Sequence, residues 1–162
     1  MIRDETAEMD GEARLLFAME PLRAPVIAAA IGALHLPPGS RGVDVGCGVG
    51  LQAVRLAVAV GPAGHVTGLD MSPRLLEHAG RLAEQAGLAE CVSFRQGDMI
   101  RLPFVDNTFD WLWSADCAGY APVAEPLRLL NELTRVIRPG GIVAILFWSS
   151  QMLLPGYPVE VM

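Results

Sequence analysis

The chain has no lysine: all twelve of its basic residues are arginine, and against eighteen Asp and Glu they leave a net charge of −6. That balance argues against nonspecific binding along a nucleic acid backbone, which needs basic surface. Arg128, Arg135 and Arg138 fall along one predicted helix and read as a solvated face. Cysteine is scarce. Cys47, Cys91 and Cys117 are far apart, odd in number and form no CxxC pair. This argues against a disulfide framework or a zinc site and fits a reducing compartment. His35, His65 and His78 lack metal-ligand spacing, so no metal is expected. The first residues are polar and acidic, unlike a secretory signal. The apolar stretches Ala24 to Leu34 and Gly141 to Trp148 are shorter than the roughly 20 residues that span a bilayer. The expectation is a cytoplasmic protein with neither a nucleic acid nor a membrane partner.

What the chain does have is apolar mass and glycine. Of its 162 residues 52% are hydrophobic, enough for one domain with a substantial core. The segment from Glu12 to Leu34 is helical in pattern, with Leu15, Leu16, Met19 and Leu22 at helical spacing. Pro21 and Pro25 are expected to divide it into two helices. The second, apolar nearly all round, must be covered by something. Strands and helices then alternate. Strands are predicted at Arg41 to Val45, His65 to Leu69, Cys91 to Arg95, Phe109 to Ser114 and Ile142 to Trp148. Helices are predicted at Gly50 to Val60, from Ser72-Pro73 to Gly87, and at Pro122 to Ile137. The last strand is an unbroken apolar run, as in a strand buried on both faces. Such alternation predicts a mainly parallel sheet between two helical layers, a Rossmann-like α/β/α sandwich. The expected organisation is a helical cap over 1–40, a nucleotide-binding core over 41–150, and the start of a truncated loop or insertion over 151–162.

Ligands of open parallel sheets bind at the C-terminal strand ends. Strand one runs into Gly46-Cys47-Gly48-Val49-Gly50, a turn that leads into a helix and suits a nucleotide-like ligand. Asp70 ends strand two, twenty residues beyond Gly50, where a carboxylate can hold ribose hydroxyls. The competing role, capping the next helix, already suits Ser72. Asp98 after strand three either accepts from an adenine amino group, with Met99 on the ring, or is a turn aspartate. Asp44 inside an apolar strand is costly unless paired. A ligand ammonium, ordered water or the glycine-loop backbone could each pair with it. Cys47 is read as a small side chain between glycines and not as a nucleophile, since no activating lysine or nearby histidine exists.

The glycine spacing departs from the dinucleotide pattern Gly-x-Gly-x-x-Gly, because Leu51 stands where the third glycine belongs. With Asp44 two residues ahead, the loop instead resembles the S-adenosyl-L-methionine loop of class I methyltransferases. His65 to Pro73, Gln96 to Phe104 followed by Asn107 to Asp110, and Val136 to Gly141 resemble that family's later motifs, in order. The small-molecule group that includes ubiquinone- and menaquinone-biosynthesis enzymes is the nearest in flavour. The resemblance implies a methyl transfer from S-adenosyl-L-methionine to a small-molecule acceptor. It implies that Gly46, Cys47, Gly48 and Gly50 meet the methionine part, with Asp44 near its amino group and Ser114 near the methionine end. Asp70 would hold the ribose, Met71 would pack on the adenine, and Asp98 with Met99 would hold its edge. No Asn-Pro-Pro-Tyr motif follows strand four, where Ser114-Ala-Asp-Cys117 stands; that disfavours adenine- or glutamine-amide methylation. Asp116 and Tyr120 are the local candidates for a base. The family fold carries two further strands after strand five, so the C-terminal strands are expected to be missing here. Strand five would then be an exposed edge and a route to self-association. A binding module without turnover is the alternative; an NAD-dependent oxidoreductase is disfavoured by the glycine spacing.

Overall fold

The computed structural model describes residues 11–118 and 126–147. Tyr120, Trp148 and the segment 151–162 lie outside them. The elements are α1 (Gly11–Ala33), β1 (Arg41–Val45), α2 (Leu51–Val60), β2 (His65–Asp70), α3 (Pro73–Gln85), β3 (Val92–Gln96), β4 (Phe109–Ala115), α4 (Pro126–Arg135) and β5 (Ile137–Leu146). The strands form one sheet in the order β3-β2-β1-β4-β5, every pair parallel. The chain leaves β1 toward β2 on one side and returns to β4 on the other. This topological switch lies where β1 and β4 pair.

Period-two alternation sorts the strand side chains onto two faces. Val66, Trp111 and Trp113 pack with Ile27 and Ile31 of α1, Leu56 and Val60 of α2, and Ala83 of α3. Val43, Val45, Leu69 and Leu112 pack on the opposite face with Leu129 and Leu133 of α4. The result is the expected three-layer sandwich. Inside the first core the indole N–H of Trp111 donates to Ser40 Oγ at 2.9 Å, so the buried polar atom is satisfied.

Three expectations are corrected. Pro21 and Pro25 do not split the first helix: α1 is continuous over 23 residues. The prolines are four apart on an exposed face. Carbonyls deprived of their amide donors there can turn to water, while the ladder continues on the other side. The helix is also not covered all round. Ile27 and Ile31 are buried, but Leu22 and Val26 are exposed. As one piece, α1 is long and apolar enough to cross a membrane by length and composition. In this fold its isoleucines enter the core.

The third correction concerns β5. It begins at Ile137, before the Pro139-Gly140 turn that was expected to precede it. Phe109 pairs with Ile137, the register then shifts, and Trp111 resumes with Ile142. Gly140 sits at φ 81 in that irregularity. β5 is the outermost of the described strands on its side, so Ile145 and the following Phe147 are exposed, not buried. α4 correspondingly ends at Arg135 and not at Ile137.

Candidate functional site

The loop from β1 to α2 is pinned to the end of β2. Gly46 N and Cys47 N both donate to Leu69 O, at 2.8 and 3.0 Å. Gly48 N donates to Asp70 Oδ2 at 2.9 Å. Gly46 and Gly50 lie at φ 80 and 81, where other residues are strained. A Cβ at Gly46 would overlap the Cys117 side chain, and one at Gly50 would lie 2.8 Å from Ala79 Cβ. Gly50 caps α2 without any side-chain bond, which leaves the first turn of that helix open to an anion.

Beneath the loop lies Asp44, 1% exposed. Its Oδ2 has no hydrogen-bond partner. Burial pushes its carboxyl up to about 8, and the charge of Asp70 adds to the rise. An unpartnered buried carboxyl is costly unless a cation completes it. Cys47 is buried as well. Burial, followed by the charges of Asp44 and Asp70, drives its thiol far above the ordinary range. Cys117 is pushed up to about 11, again chiefly by burial. Neither thiol is an activated nucleophile.

The remaining predicted residues separate into two groups. Asp70 is part of the site, and both of its oxygens accept backbone bonds, Oδ1 from Ser72 N and Oδ2 from Gly48 N, each at 2.9 Å. A carboxylate oxygen has a second lone pair, so capacity remains for hydroxyls. Ser72 caps α3 by accepting from Leu75 N at 3.4 Å. Met71 is 63% exposed at the end of β2, and its carbonyl is held by Gln96 Nε2. Asp98 makes a turn bond, with Oδ1 accepting from Ile100 N at 3.0 Å. Met99 is half-buried against the core on the α4 side. Ser114 is fully buried. Its hydroxyl donates to Val45 O at 2.9 Å and accepts from Ala118 N at 3.3 Å, stitching β4 to β1. It faces protein on all sides.

A cavity of about 300 Å³ opens above the glycine loop, between α1 and the ends of β1 and β4. Gly46, Cys47 and Gly48 form its floor, and Asp116 lines it from the end of β4. Asp116 stands at φ 54, an unusual conformation for a non-glycine. Its side chain is 10% exposed and faces Arg23 Nη1 at 3.4 Å. The α1 wall brings residues that were not singled out from the sequence: Glu20 and Arg23 line the cavity, with Gln52 opposite on α2. Glu20 is paired with Arg55, and Gln52 Oε1 accepts from the Trp113 indole at 2.5 Å. The available signal was charge at Glu20 and Arg23, three apart in a helix whose other charged residues, Glu12 and Arg14, lie near its start. No cluster of three or more His, Cys, Asp or Glu side chains suited to a metal occurs among the described residues.

The glycine loop, the acid beneath it and the acid at the end of β2 occupy the switch point of a parallel sheet. Residues 43–141 match a family described as a methyltransferase domain. The chain belongs to this methyltransferase family. It is 41% identical over 117 residues to a demethylmenaquinone methyltransferase of Staphylococcus aureus, covering 72% of this chain and 46% of that one. It is 38% identical over 115 residues to a sterol 24-C-methyltransferase of Gibberella zeae, covering 71% and 29% respectively. The chain thus spans less than half the length of these relatives. Among solved structures it is similar to a SAM-dependent methyltransferase from Aquifex aeolicus, with a TM-score of 0.76 at 25% identity. That likeness covers 93% of this chain and 79% of the other.

Proposed function

We propose that this chain binds S-adenosyl-L-methionine and transfers its methyl group to a small-molecule acceptor. The observation that carries the reading is Asp44, a buried carboxyl with an unpartnered oxygen directly before the glycine loop. The cofactor is cationic at its sulfonium and at its amino group, and an acidic socket suits it. The named relatives act on a quinone precursor and a sterol, which supports a small organic acceptor.

In this reading Asp44 answers the amino group and Gly46, Cys47, Gly48 and Gly50 admit the methionine part to the backbone. Asp70 holds the ribose through its remaining lone pairs. Met71 packs on the adenine, and Asp98 and Met99 border its edge. Ser114 acts from behind, by fixing β4 against β1 so that Asp116 turns into the cavity. When bound, the cofactor supplies an activated methyl group on a good leaving group. The contribution of the chain is then mainly positioning and exclusion of water. Asp116 is the described residue suited to take a proton from an acceptor; Tyr120, the other candidate, lies outside the described residues.

Titration calorimetry with S-adenosylmethionine, S-adenosylhomocysteine and NAD tests the proposal. Binding of the two sulfur compounds without NAD binding is expected. NAD binding with neither sulfur compound would overturn it. Binding without turnover on any acceptor would favour a binding module.

A further inference from the structure

We propose that Glu132 and Arg135 of α4 are positioning residues for purine selection: through Leu102 they hold the Asp98–Arg101 turn where its acid can accept from the adenine amino group. The assignment rests on the S-adenosylmethionine reading above. Both residues act through the loop after β3 and not on the ligand.

The segment from Gly97 to Pro103 begins and ends at one point. Gly97 N donates to Asp70 O at 3.0 Å. A Cβ at Gly97 would lie 3.0 Å from the Pro103 ring and 2.9 Å from Leu69 Cδ1, so Pro103 closes the neck of the loop against Gly97. Between these ends Asp98 and Arg101 form an isolated bridge, with Arg101 N donating to Asp98 O at 3.1 Å. Asp98 Oδ1 accepts from Ile100 N, which leaves Oδ2 for a ligand donor. The exocyclic amino group of adenine is such a donor.

The far side of the loop is gripped from α4. Glu132 Oε1 accepts from Leu102 N at 2.7 Å, and Arg135 Nη2 donates to Leu102 O at 3.2 Å. Two side chains one turn apart thus take both backbone groups of one residue, as a neighbouring strand would. The pair is itself joined twice, Arg135 Nη2 to Glu132 Oε1 at 2.7 Å and Nε to Oε2 at 2.9 Å, which fixes its geometry. Leu129 and Leu133 make the packing contact of α4 with the sheet, so the polar pair is free to hold the loop. Leu102 is 4% exposed in the same core, with Met99 packed against it. Because the neck is closed, a displacement of Leu102 passes to Met99 and Asp98. Reading an amino group by a hydrogen bond tolerates only a few tenths of an ångström of such movement.

The test compares S-adenosylhomocysteine with S-inosylhomocysteine, in which an oxo group replaces the adenine amino group. Calorimetry uses the full 162-residue chain as wild type, Glu132→Ala, Glu132→Gln, Asp98→Ala and the Glu132→Ala/Asp98→Ala double variant; circular dichroism checks that each folds. The wild type is expected to favour the adenine ligand by roughly tenfold or more. Glu132→Ala is expected to weaken S-adenosylhomocysteine by about five- to tenfold and to leave S-inosylhomocysteine within about twofold. Arg135→Met should act in the same direction. In the Asp98→Ala background Glu132→Ala should change either affinity by less than about twofold, because the acid that it positions is gone. Glu132→Gln can still accept from Leu102 N and should keep part of the preference; it carries the comparison if Glu132→Ala does not fold. An equal loss for both ligands, or additive losses in the double variant, overturns the assignment and leaves the pair a purely structural tie. A wild-type chain that binds both ligands equally overturns it too. A wild-type chain that binds neither overturns the cofactor reading itself.

Discussion

Gly48 N and Asp70 Oδ2 are joined by a 2.9 Å hydrogen bond across twenty-two residues of sequence. The same carboxylate holds Ser72 N through its other oxygen. One side chain thus sets both the glycine loop and the entry to α3. Asp70→Ala is expected to cost about 1–3 kcal/mol of stability, since two backbone donors lose a charged acceptor. It should also weaken S-adenosylhomocysteine binding by roughly tenfold or more. Chemical denaturation and calorimetry check the two effects separately. A variant with wild-type stability and affinity would show that the loop stands without Asp70.

Asp44 makes stability depend on pH with a definite sign. Its carboxyl is raised from 3.8 to about 8 in the folded protein. Between those values the native state holds a proton that the unfolded state has released, so stability falls as pH rises through that window. Below it both states are protonated, and above it the full penalty of the buried charge is present. The expected result is a melting temperature that declines from about pH 4 to 8, with a flatter profile in Asp44→Asn. Binding of a cationic ligand beside Asp44 should release a proton near neutral pH. The calorimetric enthalpy would then vary with the ionisation enthalpy of the buffer, and identical enthalpies in phosphate and Tris would contradict this.

Arg135 is a tie between α4 and the loop after β3. It donates to Glu132, to Asp106 and to the carbonyls of Leu102 and Phe104. The Glu132 hydrogen bond, followed by that of Asp106, raises its pKa, and the Arg135 bond lowers that of Glu132. The pair is partly solvated, so its electrostatic worth is modest; the carbonyl bonds add to it. Arg135→Met is expected to lose about 1–2 kcal/mol and to speed amide exchange over residues 102–106. Exchange unchanged there would assign the stability loss elsewhere.

The β5 edge predicts association. Ile145 is 42% and Phe147 48% exposed on the outermost described strand of that side. An apolar edge invites pairing with another chain. Light scattering of the chain is expected to show concentration-dependent growth in mass, which Ile145→Lys should reduce. A monodisperse monomer at all concentrations would remove the prediction.

Much of this molecule was legible in one dimension. Val43 to Gly50 carries local backbone requirements, and those leave marks in sequence; Pro139-Gly140 read as a stop before β5, yet it lies within that strand at a shift of register. Five parallel strands followed from period and punctuation alone. The length of α1 did not, because whether a proline breaks a helix depends on where its stranded carbonyl points. Arg135 read as one more solvated charge, because its four partners are brought to it by the packing of α4 on the sheet. Ser114 read as a cofactor neighbour, yet its hydroxyl closes on Val45 because β4 lies beside β1.

The sequence by itself determined the glycine loop, the acids at the strand ends and the family to which the chain belongs. Those depend on residues within a few positions of each other and on a strand-to-helix turn that only certain residues can make. Tertiary structure decided which charges share the cavity. Glu20 and Arg23 reach it from α1, ahead of the loop in sequence, and Asp116 reaches it from the end of β4, the strand beside β1. Coulomb interactions act through space, and only the folded chain brings those groups within range.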